Sequence, residues 1–219
     1  MKPELILALD VDSLEEAKRF IDILHPQVKM YKIGSQLFTA VGPQIVEYIN
    51  KKGAGVFLDL KFFDIPNTVA HAVKAATRMK AKMLTLHILG DEDMLTQAKK
   101  AAAEEAEKIG VPRPLLIGVT VLTSKDATSS DVFTLAKIGL ECGLDGVVCS
   151  AREAGLLREK LGDNFIIVTP GIRPDGVAKD DQKRTATVSE AIQAGSTYLV
   201  VGRPILKASD PLKAAKMFL

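Results

Sequence analysis

Eight short runs of apolar, largely β-branched residues recur along this chain with amphipathic stretches between them, and that alternation narrows the folds open to it. The runs are Leu5 to Leu9, Val28 to Ile33, Val56 to Leu60, Met83 to Ile88, Leu115 to Val121, Gly146 to Cys149, Phe165 to Val168 and Tyr198 to Val201. Strands that are apolar throughout are covered on both faces, as in a parallel sheet wrapped by helices. The segments between them carry helical spacing: Ser13 and Glu16 make a capping box ahead of the first, and similar patterns fill Gln36 to Lys51, Thr68 to Lys80, Glu92 to Lys108, Val132 to Cys142, Ala151 to Leu161, Val188 to Ala194 and Pro211 to Phe218. Eight such units predict one closed (β/α)8 TIM barrel over residues 1–219 with no interdomain linker. The competitor is an open doubly wound sheet, but its first turn usually carries G-x-G-x-x-G, and here that turn reads Ala8-Leu9-Asp10-Val11-Asp12.

Composition adds bounds on partners. With 47% hydrophobic residues in 219 the chain buries a substantial core. Its 29 basic and 27 acidic residues leave a net charge of +2, which predicts no nucleic-acid surface. Met1-Lys2-Pro3-Glu4 leads into a strand without an apolar signal core, and no run approaches membrane-spanning length, so a cytoplasmic protein is expected. Cys142 and Cys149 lie in no C-x-x-C and read as two reduced thiols in or near the core.

In such a barrel the active site lies at the C-terminal ends of the strands. Polar residues gather there: Asp10 after the first run, Lys32 at the second, Asp59 and Lys61 at the third, Thr123 after the fifth and Arg203 after the eighth. The densest stretch is Asp59-Leu60-Lys61-Phe62-Phe63-Asp64-Ile65-Pro66-Asn67-Thr68. Strand alternation places Asp59 and Lys61 on one side and Leu60 on the other, and Asp64 follows where Ile65-Pro66 breaks the strand and starts a helix. Two carboxylates then flank one ammonium and favour its charged form. Lys61 is thus a proton donor, or a cation set near developing negative charge, rather than a Schiff-base amine.

Asp10, Asp59 and Asp64 together could invite a divalent metal, but Lys32 and Lys61 are interleaved with them and already neutralise the acids, so no metal is expected. Gly202-Arg203-Pro204 after the eighth run has the marks of an anion site, with glycine admitting a ligand to the backbone and arginine beside it. The longest connection, Gly171 to Arg184, reads as a lid after the seventh strand, from which Arg173 and Gln182 could close over the same anion. His25, His71 and His87 form no constellation and receive no role. Phe62 and Phe63 are read as core, with the pocket wall as the alternative.

Several motifs together resemble the orotidine 5′-phosphate decarboxylase family across the whole chain. They are Ala8-Leu9-Asp10, Tyr31-Lys32-Ile33-Gly34, the D-x-K-x-x-D-I-P-N-T block from Asp59 to Thr68, Leu122-Thr123-Ser124, Thr169 to Pro174, Asp181-Gln182 and Val201-Gly202-Arg203-Pro204. The resemblance implies decarboxylation of orotidine 5′-monophosphate to UMP in pyrimidine synthesis, without a cofactor. It makes Lys61 the proton donor within a charged network of Lys32, Asp59, Lys61 and Asp64. Asp10 and Lys32 would bind the ribose, Thr123 or its neighbour Ser124 the pyrimidine, and Arg173, Gln182, Gly202 and Arg203 the phosphate. Asp64, Ile65 and Thr68 would enter the neighbouring subunit's site, which implies a homodimer with shared active sites. The rivals are a metal-dependent phosphate-binding barrel, such as a hexulose-phosphate synthase, and a catalytically silent nucleotide binder.

Overall fold

The computed structural model describes residues 3–121, 128–174 and 185–219. Ten strands occur among them: β1 (Glu4–Ala8), β2 (Met30–Gly34), β3 (Gly55–Phe62), β4 (Met83–His87), β5 (Leu115–Val119), β6 (Gly146–Val148), β7 (Ile166–Pro170), β8 (Ile172–Arg173), β9 (Ala186–Thr187) and β10 (Tyr198–Val201). The short β8 and β9 pair with each other, and the other eight close into a parallel barrel in the order β1-β10-β7-β6-β5-β4-β3-β2. Closure is made by β1 against β10, with Glu4 opposite Tyr198 and Leu7 opposite Val201. The predicted (β/α)8 barrel is the observed one.

The continuous apolar runs are explained by two cores on the two faces of the sheet. Ile6, Ala8, Met30, Phe57, Met83, Ile117, Val168 and Val200 point inward and fill the barrel. Leu5, Leu7, Tyr31, Ile33, Val56, Leu58, Leu84 and Leu86 point outward into the larger core under the helices. Burying each such side chain is worth roughly 1.5–3 kcal/mol, which is why both faces are dominated by apolar residues, and a buried polar one such as Thr169 is hydrogen-bonded, here with Ser196 at 2.7 Å. The inward set starts apolar at the base of each strand. Two residues further along, Met30 gives way to Lys32 and Phe57 to Asp59, so the charges are the uppermost inward layer.

Two expectations about local structure are corrected. The stretch Gln36 to Lys51 is not one helix but two, Ser35–Val41 and Gln44–Lys51. Gly42 between them has a positive φ of 63°, and Pro43 cannot donate into a continuing helix, so the pair breaks it. At Ser13 the first half of the capping box forms, its hydroxyl accepting the Glu16 N–H at 3.2 Å. Complete boxes stand at Thr128 with Asp131 and at Thr187 with Glu190. No helix of the described residues is long and apolar enough to cross a membrane.

Strand β3 is where regular alternation fails. Leu58 pairs with Leu84 and Phe62 with Leu86, so Asp59, Leu60 and Lys61 together face the single residue Thr85. Lys61 takes up the extra length with a φ of 52°, a left-handed conformation that an L-residue adopts only at a cost. The sequence reading had Asp59 and Lys61 on one side by simple alternation. They do end side by side, but a bulge rather than the pleat brings them there.

Candidate active site

At the C-terminal end of the barrel a cleft of about 240 Å³ is lined by Asp10, Lys32, Asp59 and Lys61 and also by Arg173, Gly202 and Arg203. The charged group comes from β1 to β3 and the second group from the loops after β7 and β10, which are neighbours in the barrel order. Apolar side chains of β5, β6 and β7, namely Val119, Val148 and Val168, complete the wall. The cleft thus combines a carboxylate–ammonium cluster, an apolar wall and two arginines.

Asp59 is the hub of the charged group. Its carboxylate meets Lys61 Nζ at 2.9 Å through Oδ1 and Lys32 Nζ at 3.5 Å through Oδ2, and Lys32 in turn reaches Asp10 Oδ1 at 3.2 Å. Asp59 and Lys32 each keep 12% of their side-chain surface exposed, against 37% for Lys61 and 52% for Asp10. The charges nearest the barrel axis are therefore the least hydrated, and Lys61 stands at the mouth where a ligand would contact it. Burial alone would push the Asp59 carboxyl up, but the two ammonium groups, with hydrogen bonds from Lys61 and Thr85, hold it below the ordinary carboxylate range.

A depressed carboxyl makes a signed prediction. The contribution of ionised Asp59 to stability is complete above the unfolded value of about 3.9 and is lost as pH falls from there through the depressed value. Thermal unfolding followed from pH 6 downward should show the wild-type midpoint falling more steeply below about pH 4 than that of Asp59→Asn, which has no proton to take up. Parallel curves for the two proteins would remove the shift.

Of the remaining predicted residues, Asp64, Ile65 and Thr68 are all exposed and none lines this cleft. Asp64 Oδ1 accepts the backbone N–H of Ile65 at 2.6 Å. The expectation that Asp64 flanks Lys61 within the same chain is thereby corrected. The reason is local: Pro66 opens the helix Pro66–Arg78 immediately after β3, and the turn that carries Asp64 is swung outward. Phe62 packs into the outer core, and Phe63 is 60% exposed with its ring 5.5 Å from that of His87, so neither walls the cleft. Thr123, Ser124, Asp181 and Gln182 lie outside the described residues.

Arg173 is buried at 7% exposure and donates to the carbonyl of Ile172 at 3.1 Å, so it is a built part of the wall rather than a loose surface charge. Gly202 faces Asp10 and Ala8 closely: a Cβ there would sit 3.4 Å from Ala8 Cβ and 3.6 Å from Asp10 Oδ2. Its bareness keeps the backbone open to a ligand. The helix that follows, Arg203–Leu206, has Pro204 in its first turn, as the sequence reading held.

Thr85 is the residue that sequence reasoning missed. Its hydroxyl donates to Asp59 Oδ1 at 3.0 Å and accepts the Lys61 backbone N–H at 2.9 Å. A threonine inside an apolar run reads simply as a β-branched strand former, and no spacing rule connects it to Asp59.

Comparison with known proteins identifies relatives of the whole chain. The chain matches the Orotidine 5′-phosphate decarboxylase / HUMPS family over residues 3–218. It is 47% identical over 220 residues to the orotidine 5′-phosphate decarboxylase of Vibrio cholerae serotype O1 strain O395, covering 95% of this chain and 94% of that protein. To that of Moorella thermoacetica it is 44% identical over 227 residues, covering 98% and 90%. A crystal structure of the enzyme from Lactobacillus acidophilus superposes with a TM-score of 0.85 at 35% identity, over 99% of this chain and 97% of that one. The Pyrococcus horikoshii OT3 enzyme, at 23% identity, shares the fold with a TM-score of 0.79. On this match along nearly its entire length, the chain belongs to the orotidine 5′-phosphate decarboxylase / HUMPS family.

Proposed function

We propose that this chain decarboxylates orotidine 5′-monophosphate to UMP and CO2 without a cofactor, with Lys61 protonating C6. Its relatives at 44% and 47% identity are named orotidine 5′-phosphate decarboxylase, a carboxy-lyase. The observation that bears the reading is the half-buried Asp59 carboxylate held between Lys61 at 2.9 Å and Lys32 at 3.5 Å in the cleft. A binding protein would gain nothing from keeping such charges partly desolvated.

Loss of CO2 from C6 of the pyrimidine leaves a carbanion with no adjacent carbonyl or imine to accept the electron pair, so stabilisation must come from fixed charge. The Lys61 ammonium supplies that charge and then its proton. Asp59, kept ionised by its two lysines, stands close to where the departing carboxylate would lie and repels it until it becomes neutral CO2. Asp10 and Lys32 hold the ribose, and Thr123 the pyrimidine. Arg173, Gly202 and Arg203, with Gln182, hold the phosphate, whose binding energy draws the lid over the ring.

The working unit in this reading is a cytoplasmic homodimer of one-domain barrels. Asp64, Ile65 and Thr68 serve the neighbouring subunit. Their exposure supports this, as does the presence of Phe63, Ile65 and Leu89, each at least 60% exposed, around the same end of the barrel.

The test is the loss of orotidine 5′-monophosphate absorbance on adding purified protein after exhaustive chelation. Full activity is expected. Activity that vanishes on chelation and returns with a divalent ion would favour the metal-dependent branch instead. Within this reading Arg203→Ala should raise KM by about 10- to 100-fold, the loss of one charge-assisted contact to phosphate. Free phosphite added with a phosphate-less substrate should then activate the wild type much more than the variant. Equal activation of both would take Arg203 out of the phosphate site.

A further inference from the structure

We infer that Thr85 is a positioning residue of this site, its hydroxyl fixing both the Asp59 carboxylate and the backbone from which Lys61 extends. The inference rests on the decarboxylase reading above and names a part of that site that the family motifs do not contain. Thr85 lies on β4 with no solvent exposure, between the buried Leu84 and Leu86. Packing alone would be served equally by valine, which has the same shape. The hydroxyl must therefore have a use, and its two hydrogen bonds show what it is.

The bulge in β3 puts three residues opposite Thr85, and the backbone N–H of Lys61 is withdrawn from the regular ladder. A buried N–H left without a partner is costly, and Thr85 Oγ1 accepts it at 2.9 Å. With its own proton the same hydroxyl donates to Asp59 Oδ1 at 3.0 Å, the oxygen that also receives Lys61 Nζ at 2.9 Å. A closed ring results: Lys61 N–H to Thr85, Thr85 to Asp59, and Lys61 ammonium back to Asp59. One end of the ring holds Lys61 at its φ of 52°, and the other aims the carboxylate. A hydroxyl has one donor and two acceptor sites, so a single threonine can do both. The ribose and phosphate contacts of the cleft take no part in this ring.

The experiment compares full-length wild type, Thr85→Val and Thr85→Ser. In the valine variant kcat for orotidine 5′-monophosphate should fall about 10- to 100-fold, the loss of hydrogen bonds to a charged group. KM and UMP affinity should stay within about threefold, because the ring acts on the reacting groups and not on the binding ones. The serine variant should retain kcat within about threefold of wild type. Hydrogen exchange should show the Lys61 amide protected in the wild type and in the serine variant and exposed to exchange in the valine variant. Wild-type kcat with valine, serine as slow as valine, or an equally protected Lys61 amide with valine would each overturn the inference. Should thermal unfolding show that the valine variant does not fold, Thr85→Ala against Thr85→Ser carries the same comparison. If the wild type fails to decarboxylate the nucleotide at all, the proposed function falls, and the exchange of the Lys61 amide still decides the role of Thr85.

Discussion

Lys61→Ala is expected to lower kcat by at least about 10⁴-fold, since it removes a general acid and a fixed charge at once. UMP should still bind measurably, because Asp10, Arg173, Gly202 and Arg203 line the cleft apart from the Lys61 ammonium. The substitution is a clean one for the backbone. Lys61 already has a φ of 52° and alanine has the same steric cost there, so the bulge is strained equally in both proteins. The Thr85 hydroxyl still receives the amide of residue 61, and Asp59 keeps Lys32 at 3.5 Å. Single-turnover measurements with saturating orotidine 5′-monophosphate, beside calorimetric titration with UMP, separate the two effects. Near-normal turnover in this variant would reject Lys61 as the proton donor.

The second large effect concerns Asp64. In one chain its carboxylate is exposed and caps Ile65, away from the charged cluster, so it either idles or serves a partner. The proposed sharing predicts that Lys61→Ala and Asp64→Ala proteins, each nearly inactive alone, regain activity when unfolded together and reassembled. A mixed dimer then holds one site with both lesions and one with neither. Random pairing of equal amounts makes half the dimers mixed, so about a quarter of all sites should work. If Asp64 acts within its own chain, every site keeps one lesion and mixing restores nothing. Activity that stays at the parental level, with mixed dimers shown to form by mass spectrometry, would refute the shared site.

Much of the architecture was legible in the sequence because it follows from short-range rules. Runs such as Leu5 to Leu9 are apolar at every position, and a strand with two apolar faces must be covered twice, which here means a closed sheet inside a ring of helices. Pro66 and Pro204 marked helix starts because a ring-locked φ and a missing N–H act at one residue. The rim charges Asp10, Lys32, Asp59 and Lys61 were found because strand ends are identifiable and the barrel puts its site there. Where a local rule was overlooked, at Gly42-Pro43, one expected helix became two.

By itself, then, the sequence determined the barrel and the strand-end rim on which Asp10, Lys32, Asp59 and Lys61 lie, because strand runs and their ends are marked by residues close together in the chain. Only the tertiary structure decided how those charges are held. The pairing of β3 with β4 is set by strands more than twenty residues apart, and the slip between them turns Lys61 into a left-handed residue and makes Thr85 the partner of both Asp59 and the Lys61 amide. The same slip and the helix opened by Pro66 carry Asp64 out of its own site. Hydrogen bonds between distant strands depend on register, and register is an outcome of packing the whole sheet, not of any motif within one strand.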